Sequence, residues 1–288
     1  MAKTIAIGLF KCKINGIDVD TSIKSNAGNY ANKTSRNIKY IVFHYTGNKK
    51  DTAKNNALYF KNNDVNVSAH FFVDDTSIYQ SVELTDVAWH CGTTGKYYHS
   101  KCRNDNSIGI EMCCTAGNYK ISDRTVGNAA FLGASLCELL NIKADEVDTY
   151  CLRHYDVTHK NCPAQMVEDA NEWKSLKTAI KTILKAKEKK AETTTANPTV
   201  SKTETVAKSF LPARGYFKKG DTSANVGKIA SFMRKVFPSY TPEAALGNYY
   251  GDNLIKAVKE FQKRSGLEPD GYFGKLTLAE LKKHGFKE

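Results

Sequence analysis

Two histidines and one cysteine stand beside the ends of apolar segments that read as buried strands. His44 is near the end of the run Tyr40–Tyr45, and His154 follows the short segment Thr149–Leu152, with Cys162 eight residues later across a polar loop. The ends of strands are where α/β folds place ligands. Two imidazoles and one thiolate, with one coordination position left open, are typical of a catalytic zinc site. Such a zinc activates water and polarises a carbonyl, which suits hydrolysis of an amide.

A purely structural interpretation of the same residues also exists. A single histidine at a strand end is often a hydrogen-bonded structural residue, and the 110 residues between His44 and His154 do not form a local metal motif. The zinc hypothesis therefore requires the fold to bring these positions together.

One acidic residue interrupts an apolar strand. Glu111 lies in the predicted strand Ser107–Met112, where a carboxylate is costly unless it faces water, a cation or metal-bound water. A partly buried glutamate beside metal-bound water is a suitable general base. The alternative is a glutamate on the solvent face, opposite Ile108 and Ile110.

Three further residues have two interpretations each. Lys160 either lends positive charge to a developing oxyanion or is a solvated loop lysine. Trp89 and His90, followed by a Cys-Gly pair, either line a cleft or belong to the core and its rim.

The elements that must position these residues alternate between strand and helix patterns. In chain order, the patterns predict a strand at 40–45, a helix at 51–61, a hairpin of strands at 69–73 and 77–80, a strand at 107–112, a helix at 126–140, a strand at 149–152 and a helix at 173–183. This order predicts an α/β domain with a mixed central sheet flanked by helices.

Composition divides the chain into three parts. Residues 185–212 are Lys- and Thr-rich with no apolar period, which predicts a solvated, extended linker. It separates a domain at 1–184 from a module at 213–288. The module has apolar stripes at 226–233, 254–261 and 276–281, which predict a small all-α domain of three helices. Its sequence shows no evident set of catalytic residues, so we interpret it as a binding module.

The charge balance points to an anionic partner. The 288 residues carry 42 Lys+Arg against 30 Asp+Glu, a formal net charge of +12, and residues 213–288 alone carry 14 against 8. Basic proteins of this kind seek polyanions, including an anionic cell wall. Nucleic acid is a rival based on charge alone, since no nucleic-acid-binding motif is present, and we predict no nucleic-acid partner.

Targeting features are sparse. No apolar run reaches the length of about 18 residues that a membrane span needs, which predicts no stable membrane insertion. The apolar patch near the N-terminus is short and interrupted by lysines, which predicts no signal peptide and synthesis in the cytoplasm. In that compartment the eight cysteines are expected to be free thiols or metal ligands. The sequence leaves the oligomeric state unknown.

Four ordered segments carry a resemblance to a known family. The sequence resembles the type 2 N-acetylmuramoyl-L-alanine amidases, the family of phage endolysins and peptidoglycan recognition proteins, over roughly residues 30–180. The segments that carry it are 41–46 (Ile-Val-Phe-His-Tyr-Thr), 68–71 (Ser-Ala-His-Phe), 106–111 (Asn-Ser-Ile-Gly-Ile-Glu) and 154–163 (His-Tyr-Asp-Val-Thr-His-Lys-Asn-Cys-Pro).

The resemblance implies a role for each matched residue. It implies zinc as the cofactor, with His44, His154 and Cys162 as its ligands. It implies that Glu111 is catalytic and that Lys160 stabilises the transition state.

The resemblance also implies that His90 is a cleft residue near the substrate, and we predict that His70 and Trp89 bind substrate with it. Several family members carry a tyrosine where this chain has Ala69. A catalytic tyrosine is therefore excluded here, which favours Glu111 as the catalytic residue. The retained Cys162 disfavours a non-catalytic recognition protein, in which this ligand is lost.

The C-terminal module resembles the peptidoglycan-binding domain 1 family. The residues that carry this resemblance are 219–221 (Lys-Gly-Asp), 250–252 (Tyr-Gly-Asp), 257–262 (Ala-Val-Lys-Glu-Phe-Gln) and 270–274 (Asp-Gly-Tyr-Phe-Gly). Both resemblances imply bacterial peptidoglycan as the partner.

Together they predict an amidase that cleaves between N-acetylmuramic acid and L-alanine, of the phage or prophage endolysin type. Such an enzyme would act on the wall after release from the cytoplasm. A host autolysin is the lesser alternative, and a non-catalytic wall-binding protein is the rival from another class.

Overall fold

The computed structural model describes residues 3–92, 95–195, 210–212 and 214–288. The chain divides into two compact units, Met1–Ile180 and Lys181–Glu288, which we describe separately.

The first unit contains strands and helices up to helix α6, which continues beyond Ile180, where the unit ends. Its elements are β1 (Lys3–Ile5), β2 (Lys13–Ile14), β3 (Ile17–Asp20), β4 (Tyr30–Ala31), β5 (Arg36–Ile38), β6 (Tyr40–Tyr45), α1 (Ala53–Asn62), β7 (Phe71–Val73), β8 (Ile78–Gln80), β9 (Val87–Ala88), β10 (Ser107–Met112), α2 (Asp123–Leu140), α3 (Val147–Tyr150), β11 (Cys151–Arg153), α4 (His154–Thr158), α5 (Ala164–Glu168) and α6 (Ala170–Thr195).

A seven-stranded sheet organises this unit, in the order β11-β6-β10-β7-β8-β3-β2. Strand β6 is parallel to both β10 and β11, and β10 is parallel to β7. The β7–β8 and β2–β3 pairs are antiparallel, so the sheet is mixed. The predicted fold class is confirmed, and the predicted hairpin is the β7–β8 pair.

Strand β6 shows why the sheet is buried on both faces. Phe43 points to one face, where its ring packs edge-on against Trp173 of α6 at a centroid distance of 5.7 Å. A Cβ at Gly133 of α2 would lie 2.9 Å from the Phe43 ring, so that helix approaches the strand closely. Because side chains alternate along a strand, the neighbouring His44 points to the opposite face. These two helices cover one face. The other face carries the site residues near β6 and is covered by α1 near β7, where Phe72 packs with Ala53 and Ala57.

One predicted strand is only partly correct. The segment predicted as a strand at 149–152 begins as the short helix α3, because the backbone N–H groups of Thr149 and Tyr150 donate to the Glu146 carbonyl. The strand itself is Cys151–Arg153. The register with β6 therefore starts two residues later than the apolar run indicated, and His154 still follows the strand directly.

The second unit contains the three predicted helices. They are α7 (Ala224–Val236), α8 (Asp252–Arg264) and α9 (Lys275–Lys283), accompanied by a two-stranded antiparallel ribbon of β12 (Tyr216–Phe217) and β13 (Phe273–Gly274). Buried Gln262 organises the turn before β13: its side-chain amide donates to Asp270, Tyr272 and Thr277 and its carbonyl accepts from Gly271.

The predicted linker 185–212 lies partly outside the described residues. Helix α6 continues to Thr195, so the expectation of extended chain from residue 185 is wrong for its first part. The Lys-, Ala- and Glu-rich composition there favours helix, which explains the error. Residues 196–209 lie outside the described residues, and the division at 184/185 stays a prediction. Within the described ranges, no helix combines the length and apolar character that crossing a membrane requires.

Candidate active site

Parallel strands bring the predicted ligands to one edge of the sheet. His44 lies near the carboxyl end of β6, and His154 comes directly after β11, which pairs with β6. His159, in a left-handed conformation with a φ of 61°, ends the five-residue helix α4 and turns the chain back. The backbone N–H of Tyr155 then donates to the Cys162 carbonyl at 3.0 Å, which holds that residue beside the start of the helix.

The three side chains converge in a buried cluster. One ligand atom from each of His44, His154 and Cys162 lies within 4.8 Å of the other two. The Cys162 Sγ is 3.9 Å from His44 Nδ1, and the two imidazole centroids are 4.8 Å apart. All three residues are at most 3% exposed. The structure therefore brings together three residues that are up to 118 positions apart in the sequence.

His154 provides a test of whether this cluster suits a metal ion. Both of its ring nitrogens are buried without a hydrogen bond of normal geometry in the described part of the chain. A buried polar group without a partner is costly, and a metal ligand is one role that explains it. Burial, with Lys160 nearby, lowers the pKa of His154 to about 4, opposed by the Gly92 backbone. The ring is then neutral at pH 7, which is the form that ligates metals.

The other two members of the cluster also fit zinc. Burial, reinforced by His154, His90 and Lys160, lowers the pKa of His44 well below its usual value, so this imidazole is neutral too. Burial, together with Glu111, raises the pKa of the Cys162 thiol to about 12. A thiolate at this position needs a cation to stabilise its charge. Two neutral imidazoles and one thiol that a cation would deprotonate match a catalytic zinc donor set.

Glu111 lies beside this cluster. On β10 it is the register partner of His44 on β6, and because the strands are parallel both side chains point to the same face. Its side chain is half-buried, and its Oε2 is buried with no hydrogen-bond partner among the described residues. Burial raises the pKa of Glu111 to about 8; Lys160 opposes the shift and Asp51 adds to it. The carboxyl faces the cleft instead of open solvent.

Lys160 is an exposed residue of the loop between α4 and Cys162, and it lines the same cleft. Its charge is close enough to lower the pKa of Glu111, His44 and His154. The lysine therefore contributes positive potential to the cluster.

The three residues predicted to bind substrate have different positions. Trp89 lines the cleft as a half-buried side chain. His90 also borders it but is only 6% exposed, with its Nδ1 3.0 Å from His44 Nε2 and its Nε2 3.2 Å from the Ser107 hydroxyl. The His90 ring is thus engaged by protein groups.

His70 does not reach the cleft, so the predicted substrate contact is not supported. Its ring is fully buried, with Nε2 2.6 Å from the Arg36 guanidinium and Nδ1 accepting from the Gly109 backbone N–H at 3.0 Å. Arg36 in turn donates to the carbonyls of Leu84, Asn104 and Ser107. His70 belongs to a buried network that ties β5, β7 and β10 together.

The cleft has a volume of about 710 Å³ and includes residues for which no motif was evident. Besides the predicted residues, it is lined by Tyr45, Thr46, Phe60, Val67, Ser68, Gly92, Thr158 and His159. A neighbouring pocket of about 380 Å³ shares Thr46, Phe60 and Glu111 and extends along α1 through Asn48, Asp51, Asn55 and Asn56. The segments that carry the family resemblance include five of these cleft residues: Tyr45, Thr46, Ser68, Thr158 and His159. Phe60, Val67 and the pocket residues along α1 had no such signal.

Comparison with known proteins places this arrangement in context. The profile of the family described as N-acetylmuramoyl-L-alanine amidase matches residues 34–165, and that of a putative peptidoglycan binding domain matches residues 239–281. A probable N-acetylmuramoyl-L-alanine amidase of Bacillus licheniformis is 30% identical over 252 residues, 85% of this chain and 66% of that protein. The chain thus spans just under two thirds of that relative's length.

Two further comparisons cover the other protein more fully. The N-acetylmuramoyl-L-alanine amidase CwlH of Bacillus subtilis (strain 168) is 30% identical over 248 residues, 84% of this chain and 89% of that protein. The solved catalytic domain of XlyA is 29% identical, with a TM-score of 0.47 over 57% of this chain and 99% of that domain.

The fold and the site define an α/β protein with a candidate metal cluster where parallel strands end. Because a relative at this level of identity aligns over most of its own length, the chain belongs to the N-acetylmuramoyl-L-alanine amidase family. The resemblance recognised in the sequence is confirmed, as is that of the C-terminal module.

Proposed function

We propose that this protein is a zinc-dependent N-acetylmuramoyl-L-alanine amidase. It hydrolyses the amide bond between the lactyl group of N-acetylmuramic acid and the L-alanine of the peptidoglycan stem peptide. The observation that carries the proposal is the buried cluster of His44, His154 and Cys162 with the Glu111 carboxyl beside it, in a chain of this family.

His44, His154 and Cys162 would hold the zinc ion. When bound, zinc supplies Lewis acidity toward the scissile carbonyl and acidifies water. Among the described residues, the ring nitrogens of His154 make no hydrogen bond of normal geometry, which supports this assignment because ligation would satisfy one of them.

Glu111 acts as the general base. Its carboxylate takes a proton from the attacking water, whose oxygen bonds to the carbonyl carbon of the lactyl group. The proton then passes to the alanine nitrogen as the carbon–nitrogen bond breaks, giving a free carboxylate and a free amine. A pKa raised toward neutrality suits both transfers, since a proton carrier works best when its pKa lies near the working pH.

Lys160 stabilises the negative charge that develops on the carbonyl oxygen. Its exposed ammonium on the cleft wall supports this role, because a fixed positive charge favours a transition state that is more anionic than the substrate. Trp89 and Phe60 offer aromatic surface to the bound substrate on the same cleft.

The C-terminal unit binds the wall and keeps the catalytic unit near its substrate. Its excess of basic over acidic residues suits an anionic Gram-positive wall. Tethering of this kind raises the effective substrate concentration without any new contact in the active site. We further propose an endolysin of phage or prophage origin. A non-catalytic wall-binding protein is the alternative.

The test is mass spectrometry of Gram-positive walls digested by the purified, full-length protein, with the zinc content measured on the same sample. We expect about one zinc per chain, as for a catalytic site with three protein ligands, and release of stem peptides with free L-alanine amines. New reducing sugar ends or cleavage within the peptide would contradict the amidase assignment. Wall binding without release of any product would favour the non-catalytic alternative. The Cys162→Ser variant is the control for contaminating hydrolases.

A further inference from the structure

We propose that Ser107 and His90 form a positioning chain that selects the tautomer of His44. The chain keeps the His44 proton on Nε2 and thereby leaves Nδ1 free as a metal ligand. It rests on the proposed zinc site, but the proton positions themselves can be measured without metal. His90 then supports the metal centre instead of binding substrate.

The first step is the orientation of the Ser107 hydroxyl. Ser107 is fully buried on β10, and its Oγ lies 2.6 Å from the backbone carbonyl of Arg103. A carbonyl only accepts, so the single hydroxyl proton is donated to it. Toward the His90 Nε2, 3.2 Å away, the Ser107 oxygen can therefore act only as an acceptor.

The second step follows for the His90 ring. Its Nε2 must carry a proton in order to donate a hydrogen bond to the Ser107 oxygen. A neutral imidazole has only one proton on its two nitrogens. Nδ1 is then an acceptor, and two groups face it: His44 Nε2 at 3.0 Å and the Cys91 thiol at 3.1 Å. Both can donate, so the contacts of His90 agree with this tautomer.

The third step reaches the metal cluster. His44 donates from Nε2 to His90, which leaves its Nδ1 unprotonated on the side where Cys162 Sγ lies 3.9 Å away. The opposite tautomer would place a proton at Nδ1 and block ligation from that atom. Groups that orient a metal-binding histidine in this way typically contribute 10- to 100-fold, as an order of magnitude, to metal affinity.

The backbone holds this chain in place. Gly109 lies on β10 two residues after Ser107, and a Cβ there would be only 2.6 Å from Cγ of His90. The ring thus packs directly on the strand that carries Ser107. This close packing limits the freedom of the ring to rotate away from His44.

A competing arrangement uses the same residues differently. His44, His90 and Cys91 also bring ligand atoms within 4.8 Å of one another, and in that arrangement His90 would ligate the ion itself. In the positioning chain, His90 Nδ1 accepts a hydrogen bond from His44 Nε2–H and binds no metal. Spectroscopy of the His90 nitrogens separates the two arrangements.

The experiment measures imidazole ¹⁵N shifts in the histidine-labelled full chain, metal-free and after addition of zinc alone. In the metal-free protein we expect the proton on Nε2 of both His44 and His90. With zinc, we expect a metal-bound shift at His44 Nδ1 and an unchanged His90. A proton on His90 Nδ1, or a metal-bound shift at either His90 nitrogen, would overturn the inference. Failure to bind zinc would instead count against the proposed function. The proton positions in the metal-free protein would still test the positioning chain of Ser107 and His90.

Variants supply the second readout, zinc affinity by chelator competition. We expect Ser107→Ala to weaken zinc binding by about 10- to 100-fold and to give a mixture of His44 tautomers. Ser25→Ala is the matched control: this buried hydroxyl also donates to one carbonyl, that of Phe60, and accepts from one neighbour, the Asn29 side-chain amide, but it does not line the cleft.

A substitution at His90 completes the set. His90→Asn keeps an acceptor near the Nδ1 position and should retain more zinc affinity than His90→Leu. Unchanged zinc affinity and unchanged His44 shifts in both Ser107→Ala and His90→Leu would show that Ser107 and His90 do not select the His44 tautomer.

Discussion

Glu111 and His44 are direct register partners on the adjacent parallel strands β10 and β6, so the candidate base and a candidate metal ligand share one face of the sheet. This pairing determines their separation through the backbone hydrogen bonds of the sheet instead of through a flexible loop. Functional groups carried on rigid strands are held more accurately than groups on loops. Roles for the two residues can therefore be separated by substitution.

The first prediction separates proton transfer from metal binding. Glu111→Gln keeps the size of the side chain but cannot accept a proton, so turnover should fall by about 10²- to 10⁴-fold while zinc remains bound. Cys162→Ser should lose zinc affinity and turnover together. Zinc content and turnover are measured on the same purified samples. Near-normal turnover of zinc-loaded Glu111→Gln would contradict the assignment, and Lys160 or His90 would become the candidate proton carrier.

The second prediction concerns stability against pH in the metal-free protein. Burial raises the pKa of Glu111 from 4.5 to about 8, so between these values the folded chain retains a proton that the unfolded chain has lost. This contribution to stability is fully present below pH 4.5 and is lost as the pH rises through about 8. Glu111→Gln is neutral at every pH. The variant should therefore match the wild type in melting temperature at low pH and exceed it increasingly toward pH 9.

The measurement is the melting temperature of both proteins between pH 4 and pH 9 after removal of metal by a chelator. A difference that stays constant across this range would mean that the Glu111 carboxyl titrates normally. Adding zinc should reduce the difference, because a nearby cation favours the charged carboxylate.

The third prediction tests the close packing beneath His90. Gly109→Ala places a Cβ 2.6 Å from the imidazole Cγ of His90, and this buried ring, which packs directly against strand β10, cannot yield easily. We expect a loss of about 1–3 kcal/mol in the free energy of unfolding, as for other overpacked cores. Gly92→Ala, whose Cβ would meet no atom of the described residues within 4 Å, is the matched control. Denaturant unfolding of the three proteins measures the effect, and equal stability of both variants would contradict the packing argument.

The fourth prediction addresses the two units. Truncation after Thr195 keeps the whole of helix α6 and removes residues 196–288, which include helices α7, α8 and α9 of the C-terminal unit. Turnover of small soluble muropeptides should be nearly unchanged, while lysis of intact walls should fall by roughly tenfold or more as the tether is lost. Both assays use equal molar amounts of truncated and full-length protein. A collapse of turnover on the soluble substrate would mean that the C-terminal unit is part of the active site.

Much of the framework could be predicted because burial leaves a local mark in the sequence. Strand β6 is covered on both faces, so it reads as an uninterrupted apolar run, and the position of His44 near its end was visible at once. Helix α2 shows its apolar stripe in the same way. The short strands β2 and β3 and the helical turn α3 were missed, since two to four residues carry too weak a pattern.

The roles of His70, His90 and Glu111 required the tertiary structure. His70 and His90 carry the same side chain, but His70 is enclosed by Arg36 and the Gly109 backbone, while His90 hydrogen-bonds to His44 at the cleft. No local pattern distinguishes these two environments. Likewise, Glu111 on a strand has the same sequence signal whether its face meets solvent or a cleft.

The sequence by itself determined which residue types were available, which segments would be buried, and that His44, His154 and Cys162 fall beside strand ends. Only the tertiary structure decided that these three side chains converge and that Glu111 lies beside them. It also decided that His70 lies away from the cluster. The physical reason is that side-chain alternation and apolar runs are local properties of the chain. Proximity across 110 residues depends instead on which strands pair, and here the parallel pairing of β6 with β10 and β11 brings their ends together.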